Sequence, residues 1–287
     1  MERVLITSGL LLIIIICVGC GPSANPPKVY TPRATSNSDE KPQLKYQIAP
    51  NLVDFIETYD RAKPVGNTGI FLLQHKGGSL LLGLLGAATG GLGTALASSI
   101  NGKMVSSKSA AIAKKLNNGD AFTIAQATEE SFAAKNLVEA NGVPIQPNLV
   151  INIHEDDKVR TTLIITSGSG ESIERFFYGF KYVANKSVLE GTQQSVFFDA
   201  IFDELPTALS VFADHLPNIH TQKYGLGRKT TIESLYFAPF DGIPFHAQVL
   251  HKFDNRTVFR VNAKNAFSTV YTAHGTHLML NRDFAEK

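Results

Sequence analysis

Tryptophan is absent from this chain of 287 residues, and cysteine occurs only twice. Both cysteines, Cys17 and Cys20, lie within the first 20 residues. Once that start is removed or modified, the rest has no thiol for catalysis, no disulfide and no cysteine ligand for a metal. Charge is also scarce: 18% of residues are charged and the net charge is +2. A nucleic-acid binder that works through the phosphate backbone needs a basic stripe, so no nucleic-acid partner is expected.

The usual catalytic fingerprints are missing too. There is no HExxH, although eight histidines are present and four of them, His246, His251, His274 and His277, fall near the C-terminal end. His274 and His277 form an H-x-x-H, but residues three apart on a strand point to opposite faces. His154 to Asp157 (HEDD) reads as an exposed acidic turn. Residues 167–172 (SGSGES) are not a G-x-S-x-G and lie between strands, which makes them a hairpin turn. Residues 224–229 (YGLGRK) combine glycines and cations that could touch phosphate. They lack the spacing of a P-loop and open no helix, so a turn is the simpler reading. No metal, cofactor or catalytic residue is expected.

What is present begins with residues 10–20 (LLLIIIICVGC), an apolar run after a short polar start. It is too short to span a bilayer comfortably and has the shape of a secretory h-region. Gly21-Pro22-Ser23 and the residues after it cannot continue a helix. The ending Val18-Gly19-Cys20 resembles the lipobox of bacterial lipoproteins, with Cys17 where that family carries an aliphatic residue. The resemblance implies that Cys20 is acylated and that residues 1–19 are a signal peptide cut just before it. Gly21 is not the Asp that retains enterobacterial members in the inner membrane, so the resemblance also implies the outer membrane. Three acyl chains, at roughly 0.8 kcal/mol per buried CH₂, would make such an anchor permanent. Residues 20–45, rich in Pro, Ser, Asn and Thr, are expected to be a disordered tether.

Residues 77–102 (GGSLLLGLLGAATGGLGTALASSING) carry no charge and are flanked by Lys76 and Lys103. Gly83, Gly86, Gly90, Gly93 and Ala97 bring small residues one helical turn apart. In lipid that spacing lets helix backbones approach closely. In water each glycine weakens a helix by about 0.8–1 kcal/mol relative to Ala. A membrane-associated or self-associating helix, a buried helix or hairpin, and a flexible loop are all compatible with this pattern. The segment is similar in composition to the glycine-zipper stretches of outer-membrane lipoproteins, including the surface-exclusion lipoproteins of conjugative plasmids.

The remaining pattern predicts helices over 51–62, 106–116 and from Asp120 to about Ala140, and a buried strand over 69–74. Strands are expected at 148–154, 158–167 and 172–184, in an antiparallel meander. Residues 193–216 form a strongly apolar helix that Pro206 should kink or split. Further strands follow at 230–237, 244–250, 257–263 and 268–280. The expected fold class is α+β: helices packed on an antiparallel sheet, then a β-rich C-terminal module, or the edge of the first sheet continued. The domains are residues 46–216, containing the glycine-rich segment, and residues 217–287. The function expected is that of a non-catalytic, lipid-anchored envelope protein that faces the periplasm and assists assembly or scaffolding. Its partners are the membrane, through acyl chains on Cys20, and a second copy or an envelope protein. The alternatives are a membrane-inserted oligomer built on the glycine zipper and a lipid-anchored hydrolase using the C-terminal histidines.

Overall fold

The computed structural model describes residues 44–49, 62–74, 108–113, 123–154, 157–169, 172–189, 193–234, 244–261 and 275–286. The expected helix over 51–62 falls almost wholly outside these residues. Helical residues 108–113 fall within the helix expected over 106–116.

The chain order is β1 (Tyr46–Ile48), β2 (Lys63–Pro64), β3 (Ile70–Gln74), α1 (Ile124–Ala133), β4 (Val143–Ile153), β5 (Lys158–Ser169), β6 (Ser172–Asn185), α2 (Gln193–His220), β7 (Arg228–Ser234), β8 (Phe245–Phe253), β9 (Arg256–Val261), β10 (Gly275–Leu280) and β11 (Phe284–Glu286). All the strands join one 11-stranded sheet in the order β11-β7-β8-β9-β10-β6-β5-β4-β3-β2, with β1 also on β4. The fold is therefore mixed α/β and dominated by its sheet. Most pairings are antiparallel, but the purely antiparallel sheet expected from the sequence needs correction. β1 and β3 run parallel to β4, and β10 runs parallel to β6. Strands 4 to 6 do form the meander that the close spacing predicts. The strands after residue 217 join the same sheet where β10 meets β6.

Alternation places one face of each central strand in the main core. Ile145, Leu149, Ile151 and Ile153 of β4, Leu163 and Ile165 of β5, and Phe176, Tyr178 and Phe180 of β6 belong to it. Phe197, Ile201, Leu205, Leu209, Phe212 and Leu216 of α2 belong to the same cluster. Rings meet across the two sets: Tyr178 lies 6.2 Å from Phe212, and Tyr182 lies 6.0 Å from Phe197.

Two helix boundaries differ from expectation. α1 is capped by Thr123, whose side chain accepts from the Gln126 N–H, and not by Asp120. It ends at Ala133 rather than near Ala140, because residues 137–139 are taken up by β1. The Tyr46 N–H donates to Leu137 O (2.7 Å), and the Glu139 N–H donates to Tyr46 O (2.9 Å). Asn136, at φ +54°, makes the left-handed turn between helix and strand. Gly142 then allows close approach: a Cβ there would sit 2.6 Å from the Tyr46 carbonyl carbon.

α2 continues as one helix through Pro206 and Pro217 and is not split. A proline inside a helix costs about 3 kcal/mol. Here the apolar stripe keeps its helical period on both sides of Pro206, so burial of the continuous stripe offsets that cost. Pro147 within β4 is tolerated for a different reason. The Val143 and Leu149 N–H groups point toward β1 and β3, bonding Lys45 O and Gly69 O. Pro147, in phase with them, falls between the last residue paired to β1 and the first paired to β3, where no donor is required.

Candidate functional site

Cys20, Gly83, Gly86, Gly90, Gly93 and Ala97 all lie outside the described residues, as does His274. The other C-terminal histidines do not converge. His246 is exposed on β8, and His251 is half-buried on the same strand. His277 is buried on β10, stacked on Phe177 (centroids 4.4 Å apart) and beside Phe259. Among the described residues, no three His, Cys, Asp or Glu side chains gather as a metal site would need. His154 is buried with its Nε2 2.9 Å from Asn152 Nδ2, and Asp157, at φ +59°, pairs with Lys186. Residues 167–169 and 172–174 pair in register across the hairpin as strand backbone, which is not a nucleophile loop.

The structure brings together groups far apart in sequence. Arg256, 3% exposed, sends Nη1 to the carbonyls of Gly179 (3.1 Å) and Leu278 (3.0 Å). Its Nη2 reaches Glu204 of α2 at 3.3 Å, and its guanidinium lies 3.8 Å over the Tyr178 ring. Glu204 also accepts the Tyr178 hydroxyl (3.1 Å) and the Lys181 N–H (2.9 Å). Burial pushes the Tyr178 phenol up, so it stays a donor. The Glu204 carboxylate thus ties α2 to β6 and β9, and Arg256 extends the link to β10.

A second buried cluster lies near the C-terminal end of α2. Arg260 donates to Glu174 at 3.0 Å, and Thr276 Oγ1 stands 3.5 Å from the same carboxylate oxygen. Burial raises the Glu174 pKa, and the Arg260 charge opposes that rise. Nearby, the Tyr46 hydroxyl and His220 Nδ1 lie 3.0 Å apart, and His220 meets Phe176 edge-on at 5.0 Å. Burial, and then the Arg260 charge, lower His220 to about 4, so the ring is neutral at pH 7. Neutral His220 shares a hydrogen bond with a phenol through Nδ1, while its buried Nε2 has no hydrogen-bond partner; beside it a carboxylate is bonded to a guanidinium.

Two features face outward. α1 and α2 enclose an open groove of about 450 Å³, lined by Ala127, Glu130, Ser131, Phe202, Leu205, Pro206 and Leu209. The second is the reversing turn between α2 and β7. Tyr224 stacks on His251 (4.5 Å, 2° between planes), and its hydroxyl lies 2.6 Å from His215 Nδ1 and 3.3 Å from Asn218 Nδ2. His215 stacks in turn on Phe253 at 4.0 Å. Gly225 and Gly227 both hold φ +70°. Between them Leu226 is 81% exposed. The turn expected at 224–229 is present but lies earlier, over 221–227, and Arg228 and Lys229 open β7.

The sequence did not point to Arg256, Glu204, Glu174, Arg260 or His220, since only strand register brings them together. Leu226 had a visible signal, an apolar residue between two glycines and next to cations. Comparison with protein-family models, curated proteins and solved structures found no match to this chain.

Proposed function

We propose that this chain is a lipid-anchored cell-envelope protein, held on the periplasmic side of the outer membrane by acyl chains on Cys20. Its folded part acts by binding, in the assembly or scaffolding of an envelope complex, and not by catalysis. The observation that carries this reading is Val18-Gly19-Cys20, which closes an h-region and is followed by Gly21. The body supports the binding role. Its Arg256 and Arg260 are engaged with Glu204 and Glu174 in the interior, whereas the helix groove and the 221–227 turn present side chains outward. In the finer reading of the fold, α1 and α2 form a layer on one side of the mostly antiparallel sheet, and the strands after residue 217 form a β-rich module.

Cys20→Ala should abolish fatty-acid labelling of the chain. Undiminished labelling of that variant refutes the anchor. A membrane-inserted oligomer built on Gly83, Gly86, Gly90, Gly93 and Ala97 is a second reading, favoured by the charge-free length of residues 77–102. In that reading Gly90→Leu reduces crosslinked oligomers and leaves the circular dichroism of the body unchanged. Unfolding of the body by Gly90→Leu, with association unaltered, would place the segment in the core instead.

A further inference from the structure

An 81% exposed leucine is ordinary on a floppy loop, but residues 221–227 are not floppy. The backbone of the turn is hydrogen-bonded up to Gly225. The Gln222 N–H donates to Ile219 O, the Lys223 N–H to Asn218 O and the Gly225 N–H to Gln222 O, at 2.8–3.0 Å. Gln222 itself sits at φ +54°. Tyr224 is fixed by its stack on His251 and by two polar contacts of its hydroxyl. Gly227 is pressed against β8 so closely that a Cβ would lie 2.4 Å from Val249 O. Leu226 is thus held out at the tip of a braced turn, with open space around Gly225.

The charges around the tip are of one dominant sign. Lys223, Arg228 and Lys229 are all exposed. Arg228 and Lys252 share a single acidic partner, Glu286, so the local balance of these five groups is positive. A rigid apolar tip ringed by cations fits a surface with negative head groups over an apolar interior. A protein partner would more often present a pocket to a leucine packed among other apolar side chains, and among the described residues the other exposed large apolar side chains, Val183 and Val196, lie on other elements, β6 and α2.

We infer that the 221–227 turn and the start of β7 form a membrane-contact surface: Leu226 enters the interfacial layer of an anionic bilayer, while Lys223 and Lys229 meet lipid phosphates. This contact rests on the proposed anchoring, which supplies proximity. A flexible tether of the 25 residues between Cys20 and Tyr46 has a root-mean-square span of roughly 25–30 Å. The body is then held near the bilayer at an effective concentration on the order of millimolar, and a weak contact suffices to orient it.

The lipidated mature chain gives a direct test, because removal of Cys17 with the signal and acylation of Cys20 leave no free thiol. The parent chain should therefore take no thiol-reactive fluorophore, and labelling of the parent would indicate failure of the anchor reading itself. Leu226→Cys and Val196→Cys each add one site; Val196 is 60% exposed in the first turn of α2, at the opposite end of that helix. The labelled chains are reconstituted in vesicles of phosphatidylethanolamine with phosphatidylglycerol. At 226 the emission should shift to the blue and be quenched by spin-labelled acyl chains; at 196 it should do neither. Lys223→Ala with Lys229→Ala should lower the inserted fraction more than about tenfold, at about fivefold per cation. With native Leu226 in place, the same vesicles should slow tryptic cleavage after Lys223, and Leu226→Asp should remove that protection. The inference is overturned by matching signals at 226 and 196, by equal insertion in purely zwitterionic phosphatidylcholine, or by protection that survives Leu226→Asp.

Discussion

Two groups of cations on this chain behave in opposite ways. Arg256 and Arg260 lie on β9 and point inward, each against a carboxylate that comes from another element. Lys223, Arg228 and Lys229 lie some thirty residues earlier and point outward. The inward pair is hydrogen-bonded to backbone carbonyls, a phenol-bound carboxylate and a buried glutamate. Removing one partner there leaves an uncompensated charge in the interior. In the outward group Arg228 shares the exposed partner Glu286 with Lys252, and Lys223 and Lys229 face water and, in our reading, lipid. The same residue types thus serve cohesion in one place and contact in the other, and burial decides which.

The sharpest way to break the comparison is Arg256→Ala. It strands Glu204 beside the Tyr178 ring and should cost about 3–5 kcal/mol in urea unfolding. Phe212→Ala or Phe197→Ala, both at 0% exposure, should cost about as much through the cavity left under α2. Wild-type-like melting of either Phe variant would place α2 at the periphery of the fold.

His220 gives a pH dependence next in size. Its folded pKa of about 4 lies below the ordinary value of 6.5. Protonation is therefore easier in the unfolded chain, and stability falls as pH drops from about 6.5 toward 4. The loss should approach about 3 kcal/mol. Glu174, whose pKa is raised by burial, works the other way: it favours the fold below its ordinary carboxyl range and loses that contribution as pH rises through its folded pKa. His220→Phe should flatten the decline between pH 6.5 and 4. An unaltered decline would assign it to other groups.

Smaller effects belong to the outward turn. Gly227→Ala meets both a positive φ and the Val249 carbonyl, and should cost about 1–3 kcal/mol. Lys223→Ala with Lys229→Ala should change stability by no more than about 0.5 kcal/mol. A large loss from that pair would mean that these cations hold the fold after all.

Local pattern made much of the architecture legible. The spacing of strands 4 to 6 and the apolar stripe of α2 were readable because each is a property of neighbours in sequence. The parallel pairing of β10 with β6 was not, because it joins segments about a hundred residues apart and no local signal specifies that register. That α2 is not split at Pro206 has a related reason: proline chemistry is local, while the burial that keeps the helix continuous is tertiary. The end of α1 was lost to pairing with β1, which periodicity does not report. At the level of sites, the turn around Leu226 was readable from its glycines and cations. The Arg256–Glu204 and Arg260–Glu174 pairs were not, since each partner alone looks like an ordinary charged residue.

The anchor at Cys20 is tested by the intact mass of the chain extracted from membranes. The mature protein should begin at Cys20, with the mass of a diacylglyceryl group on sulfur and one further acyl chain on the new amino terminus. A chain that still begins at Met1, or one that begins at Cys20 with no added acyl mass, would contradict the anchor.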